Sequence, residues 1–341
     1  MLRATRWILL TLLTVLALPA LAAPRTPAGD CKLNRLASLD LQVTPTNVYV
    51  PVVVDGTPAL MGLNIQSTMS FMWRPSAARL HLEIEPLRRE GVHVGDSPIS
   101  ELAVANVLAL GTLQLLKAQF LLVPQTAGSP AQSDRPEVGA LGLGTFSKVD
   151  FELDFKNNKL NLYSQDHCPG VVVYWAETSA LAPFRRGELG EAYFPFEIEG
   201  KKISASLSTS APISTITTDA TKRLYGFDEN SADIETRRGP SGNIISQYRA
   251  MAITTPGLNV SNTQIQLAKK PMKECSLQLR QRIDGVAQYY NCMGSEGPLH
   301  IGLNVLEKLH LYFATKENVL YFTAADAHEP ASDSPPRAPA H

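Results

Sequence analysis

Two stretches of the chain repeat one another. "VYVPVVVDGTPALMG" runs into "LNIQSTMSFM" at 63–72, and "YFPFEIEGKKISAS" runs into "LSTSAPISTI" at 207–216. Placing Pro51 on Pro195 puts Gly56 on Gly200, Leu63 on Leu207, Asn64 on Ser208, Ser70 on Ser214 and Met72 on Ile216, at one offset of 144 residues. Further along, "LGLGTF" at 141–146 matches "IGLNVL" at 301–306, and each is followed by two strand-like runs around a polar turn, "VDFELDFKNNKLNLY" and "LHLYFATKENVLYFT". A repeat of this length sets the fold before any other feature does, since each copy carries the same apolar pattern and must bury it in the same way.

The repeated pattern is β. Short runs of Val, Ile, Leu, Phe and Tyr are separated by Asp-Gly, Glu-Gly-Lys and Lys-Asn-Asn turns, which read as hairpins. Helical patterns are short and fall at equivalent places, "PSAARLHLE" and "TTDATKRLYG", with one or two turns at "LNVLEKL". The expectation is an all-β fold of two similar lobes, 31–168 and 191–326, with a Pro- and Gly-bearing linker at 169–190. The proline-rich residues 327–341 lack a periodic apolar pattern and read as a disordered tail.

At the start, "MLRATR" is followed by an apolar run and by Ala20-Leu21-Ala22, a small-x-small cleavage signal. Residues 1–22 are expected to be a signal peptide, leaving a mature chain without a membrane span, exported across the inner membrane to the periplasm. Export places the four cysteines in an oxidising compartment, and none of their spacings is that of a structural zinc site. Of three connectivities, Cys275 with Cys292 closes a short loop and leaves Cys31 with Cys168 to join the ends of the first half. Lys and Arg number 31 against 32 Asp and Glu, with no basic stripe, so nucleic acid is not an expected partner. No phosphate-cradling loop, dinucleotide fingerprint or Gly-x-Ser-x-Gly elbow occurs, and neither a metal nor another cofactor is expected.

The strand, Gly turn, strand and loop, followed at a distance by "LGLGTFSKVDFELDF", resemble a lobe of the aspartic proteases. The duplicated arrangement is similar to the bacterial retropepsin-like proteases of the periplasm, with two lobes fused in one chain as in pepsin-like enzymes. The resemblance spans about 45–165 and 190–326 and implies a bilobal acid-protease fold built of two retropepsin-like β-barrels. It also implies an Asp-Thr-Gly-Ala loop in each lobe, whose two carboxylates share a proton and activate water. Here those loops are Asn64-Ile65-Gln66-Ser67 and Ser208-Thr209-Ser210-Ala211, and both aspartates are absent.

An Asn amide is not a base, and Ser208 has no adjacent His in the sequence to deprotonate it. With Gln66 and Ser210 where the family keeps glycine, the loops are expected to be reshaped, and Asn64 and Ser208 to hydrogen-bond one another across the lobes. The leading expectation is a pseudoprotease that accepts an extended peptide or protein segment in the inter-lobe cleft, lined by Ile65, Gln66, Ser67, Thr209, Ser210 and Ala211. Two alternatives stand beside it: an active endopeptidase using other acids, Asp134 or Glu137, and an envelope scaffold. Asp150 and Asp154 in "VDFELDF" are expected to face solvent, and His81, His93, His167, His300 and His310 to be isolated.

Overall fold

The computed structural model describes residues 32–327, apart from 89–91, 95–96, 125–134, 188–189, 229, 240–243, 269–275, 283–284 and 292–296. Residues 1–22, expected to be a signal peptide, together with Cys31, Asp134, Cys275, Cys292 and the residues beyond 327, lie outside the described residues.

The protein is all-β, with two similar barrel lobes, as the duplication requires. In the first, Asn47–Val54 pairs with Thr57–Asn64, then in turn come Glu137–Gly142, Phe71–Trp73, Leu113–Val123 and Glu101–Leu110, which closes the ring on Asn47–Val54. The second ring runs Ala192–Ile198, Lys201–Leu207, Leu299–Ile301, Ser214–Thr217, Leu258–Ala268 and Ile244–Thr255, and closes on Ala192–Ile198. Alternation drives this closure, as in "NVYVPVVV", where Val48, Val50, Val52 and Val54 all point into the core.

The opening hairpins turn as their sequences predict. Asp55 and Gly56 have φ of 45° and 85°, and Glu199 and Gly200 have 49° and 71°. Two left-handed residues in a two-residue turn match the twist of the flanking strands. Both acids also act as anchors: Asp55 accepts from the amides of Asn106 and Val107, and Glu199 accepts from that of Ala252. The helices Arg74–Arg79 and Thr218–Tyr225 follow at equivalent positions, the second capped by the Thr217 hydroxyl and ended by left-handed Gly226.

The closing hairpins do not stay in their own halves. Asp150–Asp154 pairs with Leu309–Ala314, so that one six-stranded antiparallel sheet takes strands from both. Its order is Arg35–Asp40, Lys159–Tyr163, Asp150–Asp154, Leu309–Ala314, Val319–Ala324 and Ala180–Pro183. The last of these strands comes from the segment between the lobes. One face of the sheet packs into the main core, with Phe151 stacked on Phe313 at 4.3 Å between ring centroids.

The other face was expected to be solvated, and it is not. Asp150 and Glu152 are fully buried, and Asp154 is buried as well, where it accepts from the Asn157 backbone and side chain. The residues that follow Tyr163 fold back over this face, and Val172 and Trp175 pack there with Tyr163, Tyr312 and Tyr321. The alternation of "VDFELDF" is real, but the acidic side meets a covering strap instead of water. Cys168, within the strap, is disulfide-bonded, and no described cysteine is free.

Candidate functional site

In each barrel one strand is inserted between two neighbours of opposite direction. Glu137–Gly142 runs parallel to Thr57–Asn64 and antiparallel to Phe71–Trp73, and Leu299–Ile301 does the same between Lys201–Leu207 and Ser214–Thr217. The loops 65–70 and 208–213 must therefore pass over the end of the inserted strand. Glycine is required there, because a Cβ on Gly142 would lie 2.6 Å from the Met69 carbonyl, and one on Gly302 would lie 2.7 Å from that of Ile213.

Three bonds that hold the backbone of the loops are equivalent in the two halves. Leu143 N donates to Ser67 O at 2.7 Å and Leu303 N to Ala211 O at 2.8 Å. Gly144 N donates to Thr68 O and Asn304 N to Pro212 O. The Ser70 hydroxyl accepts from Gly142 N at 2.9 Å, and the Ser214 hydroxyl accepts from Gly302 N at 3.0 Å. Neither Gln66 nor Ser210 adopts a positive φ. These elements of the loop scaffold are thus present in duplicate while the side chains differ.

Across the halves, Thr209 is the principal link: its hydroxyl donates to Leu63 O and accepts from Ile65 N at 3.5 Å. The link is one-sided, because Ile65 stands where the second loop has Thr209 and has no hydroxyl to return. Gln66 makes the other crossing. Its Nε2 lies 2.8 Å from Nδ1 of His300 and 3.4 Å from Oγ of Ser206, while Ser206 Oγ is 2.7 Å from the same nitrogen. As placed, the Gln66 amide nitrogen donates and Nδ1 of His300 accepts.

Asn64 and Ser208 do not bond one another as expected. The Asn64 carboxamide turns back within its own loop, where Oδ1 accepts from Ser67 N at 3.3 Å. Ser208 is 2 % exposed and Thr209 fully buried, whereas Ser210 is exposed and Asn64, Gln66 and Ser67 are half-buried. Among the described bonds of residues 64–67 and 208–211, none involves a carboxylate. Glu137 lies at the other end of its strand, opposite Leu60, whereas Gly142 is opposite Asn64. Four residues of strand are about 13 Å at ~3.3 Å per residue. Burial raises the pKa of Glu137, against the opposing effect of its hydrogen bond with Tyr49.

A second concentration of chemistry, unexpected from the sequence, lies on the covered face of the shared sheet. Glu152 accepts from Asn161 Nδ2 at 3.0 Å, from the hydroxyls of Tyr163 and Tyr174 at 2.6 and 2.9 Å, and meets His310 Nε2 at 2.5 Å. Asp150 accepts from Thr315 N and Oγ1, both at 2.9 Å, and meets His167 Nε2 at 2.6 Å. Trp175 stacks on His310 at 4.0 Å. Burial and the adjacent Glu152 charge push the hydroxyls of Tyr163 and Tyr174 well above their ordinary range, so both remain donors. Contrary to expectation, His167, His300 and His310 are each partnered. Acids at alternate positions of a strand, together with an apolar "VVVYW" in a supposed linker, were the signal available for this cluster.

No family profile matches the chain, and no curated protein matches it in sequence. Solved structures similar to it include conglutin gamma, a basic 7S globulin from lupine seeds, at a TM-score of 0.46 and 13% identity, over 86% of this chain and 95% of that one. Basic 7S globulin from soybean is similar at a TM-score of 0.45 and 12% identity, over 87% and 96%. Likenesses of that extent leave the function to be read from this chain's own residues. Among those described, no helix is long and apolar enough to cross a membrane.

Proposed function

We propose that the protein is an exported, non-catalytic relative of the two-lobed retropepsin-like aspartic proteases, and that it binds an extended peptide or protein segment where its lobes meet. One observation carries the reading: loops held by three equivalent bonds in both halves carry Asn64 and Ser208 at the positions that the resemblance assigns to the catalytic acids. Hydrolysis by such a centre requires a carboxylate to take the proton of water and a second, protonated, to polarise the carbonyl. Neither side chain can do the first. Glu137, the described alternative acid, is about 13 Å of strand away from Asn64.

Binding asks less of the site. An extended chain is recognised through main-chain hydrogen bonds, for which polar loops and strand edges suffice. The periplasmic location remains part of the proposal and rests on residues 1–22.

The test is peptide cleavage by the purified mature protein, residues 23–341, against a diverse peptide mixture from acidic to neutral pH, read by mass spectrometry. The expected result is no cleavage above a heat-inactivated control, with some peptides retained by the folded protein. Cleavage that depends on pH and persists through repurification would overturn the assignment.

A further inference from the structure

We infer that His167 is kept as an imidazolium that clasps the strap, residues 164–179, to both halves of the shared sheet, and that loss of its ring proton loosens the strap. The inference stands independently of the peptide-binding reading above.

The local sequence builds the clasp. In His167-Cys168-Pro169-Gly170 the proline suits the second position of a turn and Gly170, at a φ of 77°, the third, so that Val171 N donates to Cys168 O at 3.2 Å. The carbonyl held by this turn also lies 3.2 Å from Nδ1 of His167. Glu317 Oε1 is 3.7 Å from the same nitrogen, and it is a buried oxygen without a hydrogen-bond partner. On the opposite side of the ring, Nε2 lies 2.6 Å from Asp150 Oδ2. Both ring nitrogens therefore face acceptors. A neutral imidazole has one N–H and would turn a lone pair toward the oxygens on one side, whereas an imidazolium donates on both. Asp150 already accepts from Thr315 N at 2.9 Å and from the Tyr312 hydroxyl at 3.4 Å, which suits the carboxylate form. The result is an ion pair whose side chains are 3% and 0% exposed.

The counter-charges come one from each half, Asp150 from the first and Glu317 from the second. Beside Asp150, Glu152 is engaged with His310, Tyr163 and Tyr174. Tyr312 stands edge-on to the His167 ring at 6.4 Å between centroids, and the Tyr321 hydroxyl donates to the second oxygen of Glu317 at 3.0 Å. On the 315–318 turn, Arg186 binds Thr315 O and Asn318, and Lys316 is exposed; Asp166 of the strap bonds Ser164. Loss of the proton leaves Nδ1 and two oxygens facing one another lone pair to lone pair, which disfavours the closed strap. The hydrogen bond to Asp150 raises the pKa of His167, burial opposes the rise, and the Cys168 carbonyl and Glu317 add to it. With a raised value in the closed state, closure is fully favoured below the ordinary value, about 6.5, and weakens as pH rises through the higher one. Opening lifts Val172 and Trp175 from Tyr312 and Tyr321, while the disulfide keeps Cys168 tethered.

Hydrogen exchange of the oxidised mature protein, residues 23–341, read by mass spectrometry from about pH 5 to about pH 9 and corrected for the intrinsic rate, measures the opening of 164–179. Protection should be constant below about pH 6.5 and then fall by up to about tenfold per pH unit, the limit for one proton, until the ring has titrated. Glu317→Gln keeps the shape but removes one counter-charge, so it should shorten the fall, and His167→Gln should abolish it. Histidine-selective NMR of the wild type should show both nitrogens of one ring protonated at about pH 7, above the ordinary value. That ring is assigned by its loss in His167→Gln or its shift in Glu317→Gln. Protection that does not change with pH, or that changes alike in His167→Gln, overturns the release. An unprotonated nitrogen on that ring at about pH 7 overturns the imidazolium, and the clasp with it. Should His167→Gln fail to fold, a fall left unchanged by Glu317→Gln is the overturning result.

Discussion

Among the described residues, hydrogen bonds join the two halves at two junctions of opposite character. At the loops the contact is neutral and sparse: one threonine hydroxyl and one glutamine carboxamide make the crossing. On the shared sheet it is buried, dense and centred on two carboxyl groups. There Glu152 gathers donors from its own half, from the strap and from the second half, while Asp150 gathers Thr315 and Tyr312 of the second half and His167 of the strap. The acids of this protein are thus absent where the resemblance would place chemistry and concentrated where no reaction is expected. A fully bonded buried carboxylate fixes the mutual register of the elements that serve it, because any other arrangement leaves a charge without partners. The sheet fixes how the lobes sit together, and the loops are left free of that task.

The largest effect should therefore come from the sheet. Glu152→Ala removes the acceptor of four side chains, three of which, Asn161, Tyr163 and His310, are buried, and is expected to cost about 3–5 kcal/mol. Chemical denaturation followed by circular dichroism measures it. A loss below about 1 kcal/mol, within the range of ordinary substitutions, would mean that the apolar packing of Val172, Trp175 and Tyr312 sets the register alone.

That junction was the least legible part of the sequence. The hairpins, their left-handed turns and the glycine-bearing inserted strands could be read because they are local, and because a second copy confirmed each of them. The pairing of Asp150–Asp154 with Leu309–Ala314 could not, since nothing in either strand names a partner some 160 residues away. Alternation correctly put Asp150 and Asp154 on one face, but it says which residues share a face and not what lies over it. The cover comes from "CPGVVVYWA", whose Pro-Gly start marks it as a linker. At the loops the offset of 144 identified Asn64 and Ser208, whereas the reach of Gln66 to His300 depends on how the lobes dock, which no repeat encodes.

Next in size is the neutral junction. Thr209→Val keeps the shape but leaves Leu63 O and Ile65 N without their shared partner, at an expected cost of about 1–3 kcal/mol. Thermal unfolding would measure it. A loss as large as that of Glu152→Ala would contradict the division of labour between the two junctions.

A smaller effect concerns pH. The hydrogen bond to Asp150 raises the pKa of His167 above its ordinary value, with burial acting against it and Glu317 adding to the rise. A raised folded-state pKa means that the pair stabilises fully below the unfolded value, about 6.5, and that this contribution is lost as pH rises through the higher folded value. Stability should fall across that window with a slope no steeper than about 1.4 kcal/mol per pH unit, the limit for one proton. In His167→Gln this component should vanish. An identical pH profile in the variant would place the titration elsewhere.

The smallest effect is expected at Asn64, the position that the resemblance assigns to a catalytic acid. Asn64→Ala removes one acceptor from Ser67 N, but that amide also faces Asn64 O at 3.2 Å and stays paired. The backbone of the loop keeps its bonds from Leu143 and Gly144. The cost should be under about 1 kcal/mol, below that of a buried polar group left unmatched. Truncation is tolerated at Asn64 because the atoms around it keep their other partners. If Asn64→Ala instead destabilised the protein as much as Thr209→Val, Asn64 would be part of the junction itself. The neutral loops would then be a second lock between the halves, with less freedom to admit a ligand.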